Sequence, residues 1–551
     1  MYGGGKFARI LGFIGLLLAT PVAFAQPAVG GGCTPAAHTF CVTSTGDNVG
    51  TDPAAGAGTG TLRQALVDSN AAGGANTIGF DIPGTGPQTI TLASNLTTIN
   101  SDPYATTGLV SSLLVDGYSQ PGSALNTNTP DDGGLNTKLM IEIVGSVYGF
   151  NYGCCTHPYL TVTLQGLATH GFYDGTLSGQ GSGLTPKAKW NLYGNFIGTG
   201  VDGAALPVKA NGSGIGLQYD DAQIGGTQAW QRNLISGNTY TAVSGGSPGD
   251  SIVVEGNLIG TDITGTKPIP NGYGVEPAAN SAGIRVGCTG AGCTAAGHPS
   301  RNVISGNSLG MDISGSGTGG LQVKGNYIGT DWSGTQPLPN GPCDIYVCGG
   351  IWVQLSGAPT AIIGGFGAGE GNVIAYNNGP GILSPDARVE ESFDNQGNAI
   401  HNNSIADIAF SFAGRIANDA GDTDAGSNNQ QNHPVIQSAS VSGIPGSLTL
   451  NVTYLVDSIP DTSCAQAGCS KYPLRIDFYV DIDEGSGAYL VADSYPANSA
   501  QVARTISLPL PISVQVLNGF VASATDANGY SSEFSHSWVF DRIFANAFEV
   551  P

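Results

Sequence analysis

Residues 256–262 read Gly256-Asn257-Leu258-Ile259-Gly260-Thr261-Asp262, and nearly the same run returns as Gly325-Asn326-Tyr327-Ile328-Gly329-Thr330-Asp331. A shorter copy stands earlier, Gly194-Asn195-Phe196-Ile197-Gly198-Thr199. A second motif alternates with these. It appears as Arg232-Asn233-Leu234-Ile235-Ser236-Gly237-Asn238, as Arg301-Asn302-Val303-Ile304-Ser305-Gly306-Asn307, and as Gly371-Asn372-Val373-Ile374-Ala375. The spacing decides the fold. Asn233 to Asn302 and Asn257 to Asn326 are each 69 residues, while Asn233 to Asn257 and Asn302 to Asn326 are each 24. Three units of about 23 residues therefore fit one long repeat, whereas a propeller blade needs about 40–50 and a leucine-rich repeat needs fixed leucines. Short Ile/Val strands punctuated by Gly and Asn at this period suit the coils of a parallel β-helix, stacked about 4.8 Å apart. The branched residues face the core. Asn195, Asn233, Asn257, Asn302, Asn326 and Asn372 are expected at left-handed turns, stacked as a structural ladder of side-chain amides.

Composition agrees with an all-β, turn-rich chain. Of 551 residues, 86 are Gly and 31 Pro, and only 11% are charged against about 25% in an ordinary soluble domain. A disordered chain would be polar and charge-rich, and collagen would place Gly at every third residue. With 40 acids and 18 bases the net charge is −22, which repels a polyanion, so no nucleic-acid partner is expected.

The motif pair G-N-x-I-G-T-D and N-V-I-S-G-N resembles secreted bacterial right-handed parallel β-helix proteins of the pectate-lyase-like superfamily. Gly60-Thr61-Leu62-Arg63-Gln64-Ala65-Leu66, followed by Asn76 to Phe80 and Gln88 to Leu92, resembles the segment that precedes such helices. Leu62, Ala65 and Leu66 make a short amphipathic helical face, suited to cover the open end of the first coil. The resemblance spans roughly residues 40–540 and implies fold far more than activity.

The chain opens with a basic start (Lys6, Arg9), an apolar run from Ile10 to Leu18 and the small-x-small sequence Ala23-Phe24-Ala25. That order reads as a signal peptide, so the protein is expected to be secreted or at the cell surface, with no transmembrane helix after cleavage. Export favours disulfides. The ten cysteines fall as near neighbours: Cys33 and Cys41, Cys154 and Cys155, Cys288 and Cys293, Cys343 and Cys348, Cys464 and Cys469. A zinc site using His298 beyond Cys293 is the rival, but the paired pattern accounts for every Cys without one.

Near Asn418 the character changes. Asn418 to Asn432 is acidic and rich in Gly and Asn, and alternating strands follow at Leu448–Tyr454, Leu474–Val480, Ala503–Leu508 and Gly519–Ala524. They read as an Ig-like β-sandwich, and Ser523 to Ser535 resembles the closing strands of bacterial Ig-like modules. Phe540, Ile543, Phe544, Ala547 and Phe548 form an apolar helical stripe at the end. The expected organisation is a signal peptide (1–25), an N-terminal cap segment with the first strands (26–100) and a right-handed parallel β-helix (101–417). An acidic linker (418–432), a small β-sandwich (433–538) and an apolar tail (539–551) follow.

For chemistry, the resemblance brings polysaccharide lyases and hydrolases into view. A hydrolase needs two carboxylates flanking the bond, and a lyase needs carboxylates for Ca²⁺ plus a base. Asp220 and Asp221 are the candidate pair, although neighbours in a strand point to opposite faces. Arg232 and Arg301 recur at one repeat position, as structural residues do. Asp419, Asp422 and Asp424 offer hard oxygen donors within six residues, a candidate calcium site. Asp262 and Asp331 read as Asx-turn formers. The expected function is non-catalytic adhesion or binding of a polysaccharide or cell-surface ligand. An extracellular lyase or glycoside hydrolase and a calcium-stabilised spacer are the alternatives.

Overall fold

The structure is a computed structural model. It describes residues 26–540, apart from 101–107, 154–159, 179–187, 207–210, 278–282, 317–319, 342–348, 357–359, 385–391, 464–468 and positions 146, 248, 412, 425, 484 and 515. The leader 1–25, the tail beyond residue 540, and Cys154, Cys155, Cys343, Cys348 and Cys464 lie outside the described residues.

Successive strands step from sheet to sheet. Leu160–Gln165, Leu167–His170 and Gly175–Ser178 belong to three different sheets, and Ala188–Tyr193, Phe196–Ile197 and Ile215–Leu217 pair with them in the same order, all parallel. Repeating this step builds three parallel arrays, in sheets of 11, 14 and 9 strands, of which the 14-stranded one has ten parallel strands and four antiparallel strands added at its end. They are called here the first, second and third sheets. The chain is all-β with long parallel sheets, which fits a parallel β-helix.

The quoted motif makes the second sheet. Ile197, Ile235, Ile259, Ile304, Ile328, Ile374 and Ile400 align in register and are fully buried in one continuous core. The residue before each Ile points the opposite way, as the two-residue strand period demands. Phe196, Leu234, Leu258 and Val303 therefore meet a second cluster formed by Tyr118, Leu125, Leu135 and Leu139, so a surface segment covers much of this sheet's outer face.

The asparagines stack as the repeat spacing requires, but not at left-handed turns. No ladder Asn has a positive φ. The left-handed residues are glycines just before them, such as Gly194, Gly256 and Gly325, whose missing Cβ makes that conformation easy to adopt. Each Oδ1 accepts the backbone N–H or amide of the preceding Asn, from Asn195 through Asn233, Asn257, Asn302, Asn326 and Asn372 to Asn398. A second ladder runs beside it through Asn211, Asn238, Asn271, Asn307, Asn340, Asn377 and Asn403. Gly260 sits between them at φ +88°, where a Cβ would run into the Asn307 amide. Only Gly fits there.

Both ends of the stack are closed. Helix Leu62–Ala72, capped by Thr61 accepting from the Gln64 N–H, lays Leu62, Ala65 and Leu66 onto Val42, Ile78 and Ile90. At the other end, Leu474–Ile482, Gly485–Tyr495, Gly519–Thr525 and Trp538–Val539 extend the second sheet antiparallel, joined to it at Ile400 and Ser486. Val435–Ile444, Ser447–Leu455 and Arg504–Pro509 form a separate three-stranded sheet. Leu450, Val452 and Tyr454 share a core with Ile476, Phe478 and Phe520, whereas Tyr479, Val521 and Phe534 join the core of the stack.

Cys33 bonds Cys41 and Cys288 bonds Cys293, and Cys469 is disulfide-bonded as well. Among the described residues no helix is long and apolar enough to cross a membrane.

Candidate functional site

Asp220 and Asp221 stand at the start of strand Asp221–Gly225 and face opposite ways. Asp220 is fully buried and accepts the Tyr152 phenol at 2.6 Å, the Ala188 N–H at 3.0 Å and the Trp190 indole N–H at 3.3 Å. Burial pushes its pKa up to about 6. Asp221 accepts the Ser251 N–H at 2.8 Å and sits in register with Lys189 on the outer face. The two acids share no surface, so they do not flank a bond.

The recurring arginines act as clamps. Arg232 is buried and donates to the carbonyls of Gly256, Asn128 and Gly133, and burial pushes its pKa down to about 10. Arg301 pairs with Asp131 and stacks on the Tyr327 ring at 4.2 Å. Together they pin the surface segment over the second sheet. His298 also pairs with Asp131, and its neighbour Cys293 is spent in a disulfide, so neither belongs to a zinc site. Asp262 and Asp331 accept backbone N–H groups of their own loops, from Thr266 and Ser333 respectively.

Asp419, Asp422 and Asp424 do converge. One carboxylate oxygen from each lies within 4.8 Å of the others, in the segment between the parallel stack and the C-terminal strands. The segment is tied down rather than free. Asn432 donates to the carbonyls of Asp419 and Asp457, and Asn428 donates to that of Ser531. Asp422 is fully buried, with a positive φ, and accepts from the Asn432 N–H, the Gln431 amide and the Ser470 hydroxyl. Burial first, then repulsion from Asp419 and Asp424, pushes its pKa up to about 8. Asp424 is pushed up by burial and by Asp419, and its Oδ1 is buried without a hydrogen-bond partner. Three carboxylates in mutual repulsion, one oxygen unsatisfied, offer hard donors that could hold a cation such as Ca²⁺.

The sheet faces divide the remaining surface. The first sheet carries an outward polar row through Thr163, Asn191 and Gln223, with Glu255 bridging Gln223 and Arg285. The third sheet carries Glu276 and Asp312 on adjacent strands, a pair the repeat reading does not single out. Only the strand register, with Val275 beside Met311, brings residues so far apart in sequence together. No protein-family model matches the chain, and no curated protein matches it.

Proposed function

We propose that the chain is an extracytoplasmic, non-catalytic scaffold that presents its sheet faces to a polysaccharide or cell-surface ligand. In this reading it is a right-handed parallel β-helix of the pectate-lyase-like type, closed by an Ig-like β-sandwich. Ca²⁺ at Asp419, Asp422 and Asp424 secures the joint between them. The convergence of those carboxylates within 4.8 Å carries the proposal, because it places an unbalanced anionic cluster where the two parts of the chain meet. The non-catalytic reading is supported by Asp220, Asp221, Arg232 and Arg301, which are engaged in packing and backbone contacts. The signal-peptide pattern and the disulfides support export.

Thermal melts in Ca²⁺, in Mg²⁺ and in EDTA test it. A ligand at a hundred times its Kd adds about 2.7 kcal/mol, so Ca²⁺ is expected to raise the Tm above the EDTA value. Asp424→Asn is expected to abolish the difference. Equal melting in Ca²⁺ and EDTA overturns the metal centre, and release of reducing ends or unsaturated products from polysaccharides overturns the non-catalytic reading.

A further inference from the structure

The stack breaks its own spacing at two coils, where the chain enters the third sheet. Leu177, Ile215, Val243, Val275 and Met311 stand in register there, buried in the core. The second ladder precedes them by four residues at Asn211, Asn271 and Asn307, but by five at Asn238. Phe172, whose N–H donates to Asn211 Oδ1, holds the ladder place one coil earlier and also stands five residues off. An extra residue in one strand makes the backbone bulge and re-aims a side chain. Both bulged coils carry a tyrosine at this point. Tyr173 is 68% exposed, and Tyr240, two coils further on, is 58% exposed.

Gly212 stands between them. Its N–H donates to the Phe172 carbonyl at 2.8 Å, and its own carbonyl accepts the Tyr240 N–H at 2.7 Å. A Cβ on Gly212 would lie 1.7 Å from the Tyr173 carbonyl oxygen, so the coil between the tyrosines carries no side chain. The same point is 3.7 Å from Tyr240 Cδ2, so the Tyr240 ring lies along this bare backbone, on the side of Tyr173. Val147, 40% exposed, continues the strip to the preceding coil, where its carbonyl accepts the Asp174 N–H at 3.0 Å. Neither tyrosine belongs to a core cluster, so packing does not account for them. A tyrosine offers an apolar ring face and a polar tip, which suits a ligand that is apolar on its faces and polar at its edges. A pyranose ring has that character. An extended β-1,4-linked chain advances about one sugar per coil of about 4.8 Å, so a chain laid along the stack meets both rings. Asp174, exposed beside Tyr173, and the net charge of −22 disfavour an anionic chain.

We propose that Tyr173 and Tyr240, set either side of Gly212 and with Val147 at their edge, form a stacking platform for a neutral, extended β-1,4-linked glycan. The assignment rests on the surface-binding reading above and gives it a place, a charge class and a chain shape. The C–H faces of the sugars lie on the two rings, and their hydroxyls stay in water.

Calorimetric titration of the full chain tests it, with β-1,4-linked hexasaccharides of glucose, mannose and xylose as probes. Maltohexaose, whose α-links coil the chain, is the shape control, and hexagalacturonate is the charge control. At least one β-1,4-linked probe is expected to bind, more tightly than either control. Tyr173→Ala and Tyr240→Ala are each expected to weaken that binding about tenfold, with unchanged melts because both side chains are exposed. Tyr240→Phe keeps the ring and should bind as the wild type does. So should Tyr219→Ala, which removes an exposed tyrosine beyond the far end of strand Ile215–Leu217. Probe binding that survives the double change Tyr173→Ala, Tyr240→Ala overturns the platform and leaves the surface-binding reading standing. Tighter binding of maltohexaose or hexagalacturonate than of every β-1,4-linked probe overturns the shape or charge argument, and the platform with it. If no probe binds the wild type, both the platform and glycan binding fall.

Discussion

An amide in a ladder has almost no freedom to be anything else. Asn257 donates to the Ile224 carbonyl at 2.9 Å and to Asn302 Oδ1 at 3.1 Å, and its own oxygen accepts the Asn233 N–H and side-chain amide. It is fully buried, so every one of those groups lacks water as an alternative. Asn257→Ala would leave the Ile224 carbonyl and two N–H groups of Asn233 unpaired on the preceding coil, a loss of about 2–4 kcal/mol. Asn451→Ala, which removes exposed bonds to Ser442 and Ser507, should stay within about 0.5 kcal/mol. Parallel denaturation curves for the two variants would refute the ladder's energetic role. Six of the ladder positions were legible because Asn recurs with Ile at fixed distance. The second ladder was equally present in Pro270-Asn271-Gly272 and Pro339-Asn340-Gly341, again 69 residues apart, but Asn before Gly reads first as an ordinary turn. Tyr173 and Tyr240 gave no such signal, since neither recurs and their adjacency exists only once strands are in register.

At the scale of elements, the helix Leu62–Ala72 depends on one buried cation. Arg63 is 2% exposed, grips Asp47 with two nitrogens at 2.9 and 3.0 Å, and donates to Asp52 and to the carbonyls of Ser94 and Asn95. Asp47 in turn accepts the Ala93 N–H. The helix thereby ties two loops across the first coil. Arg63→Ala strands a buried carboxylate, so a loss of about 3–5 kcal/mol is expected. Arg63→Lys should restore little, since an ammonium cannot make the paired contact. Contacts in a stacked array are between neighbours, so amide exchange should quicken in Gly74–Phe80 and stay slow around Ile304 and Ile328. Uniform acceleration along the chain would refute that locality. The apolar face of this helix was readable from Leu62, Ala65 and Leu66, whereas the role of Arg63 was not, because its partners come from separate loops. Among the C-terminal strands, four were visible by alternation. Val435–Ile444 escaped because most of it is exposed, and Gly485–Tyr495 because its Gly-rich start hides the pattern.

For the molecule as a whole, stability turns on how the C-terminal strands close the stack, and one carboxyl stands at that contact. Glu533 is 3% exposed and accepts the Phe410 N–H at 3.2 Å and the Ile416 N–H at 2.8 Å, both on the far side of the joint. Burial pushes its pKa up to about 7, partly opposed by those N–H groups and by Arg415. The unfolded glutamate titrates near 4.3. Between those values the folded chain holds a proton that the unfolded chain has released. The stabilisation is therefore complete below about pH 4 and is lost as pH rises to about 7, by about 3 kcal/mol. His433 beside His536 tilts the balance the other way, since burial holds its pKa down to about 4 and acid then favours unfolding. The two slopes overlap between about pH 4 and 6.5, so the wild-type curve alone does not separate them. Comparison with Glu533→Gln does, because the variant keeps His433 and lacks only the titrating carboxyl. The wild type should lose melting temperature relative to the variant from pH 4.5 to 7.5, and a pH-independent gap would show that the joint is not held by this proton. Since Tyr479, Val521 and Phe534 seal the same end of the core, opening there exposes Ile400 and Ile408. Limited proteolysis should then cut first between residues 410 and 432, at a rate that rises with pH in the wild type and stays level in Glu533→Gln.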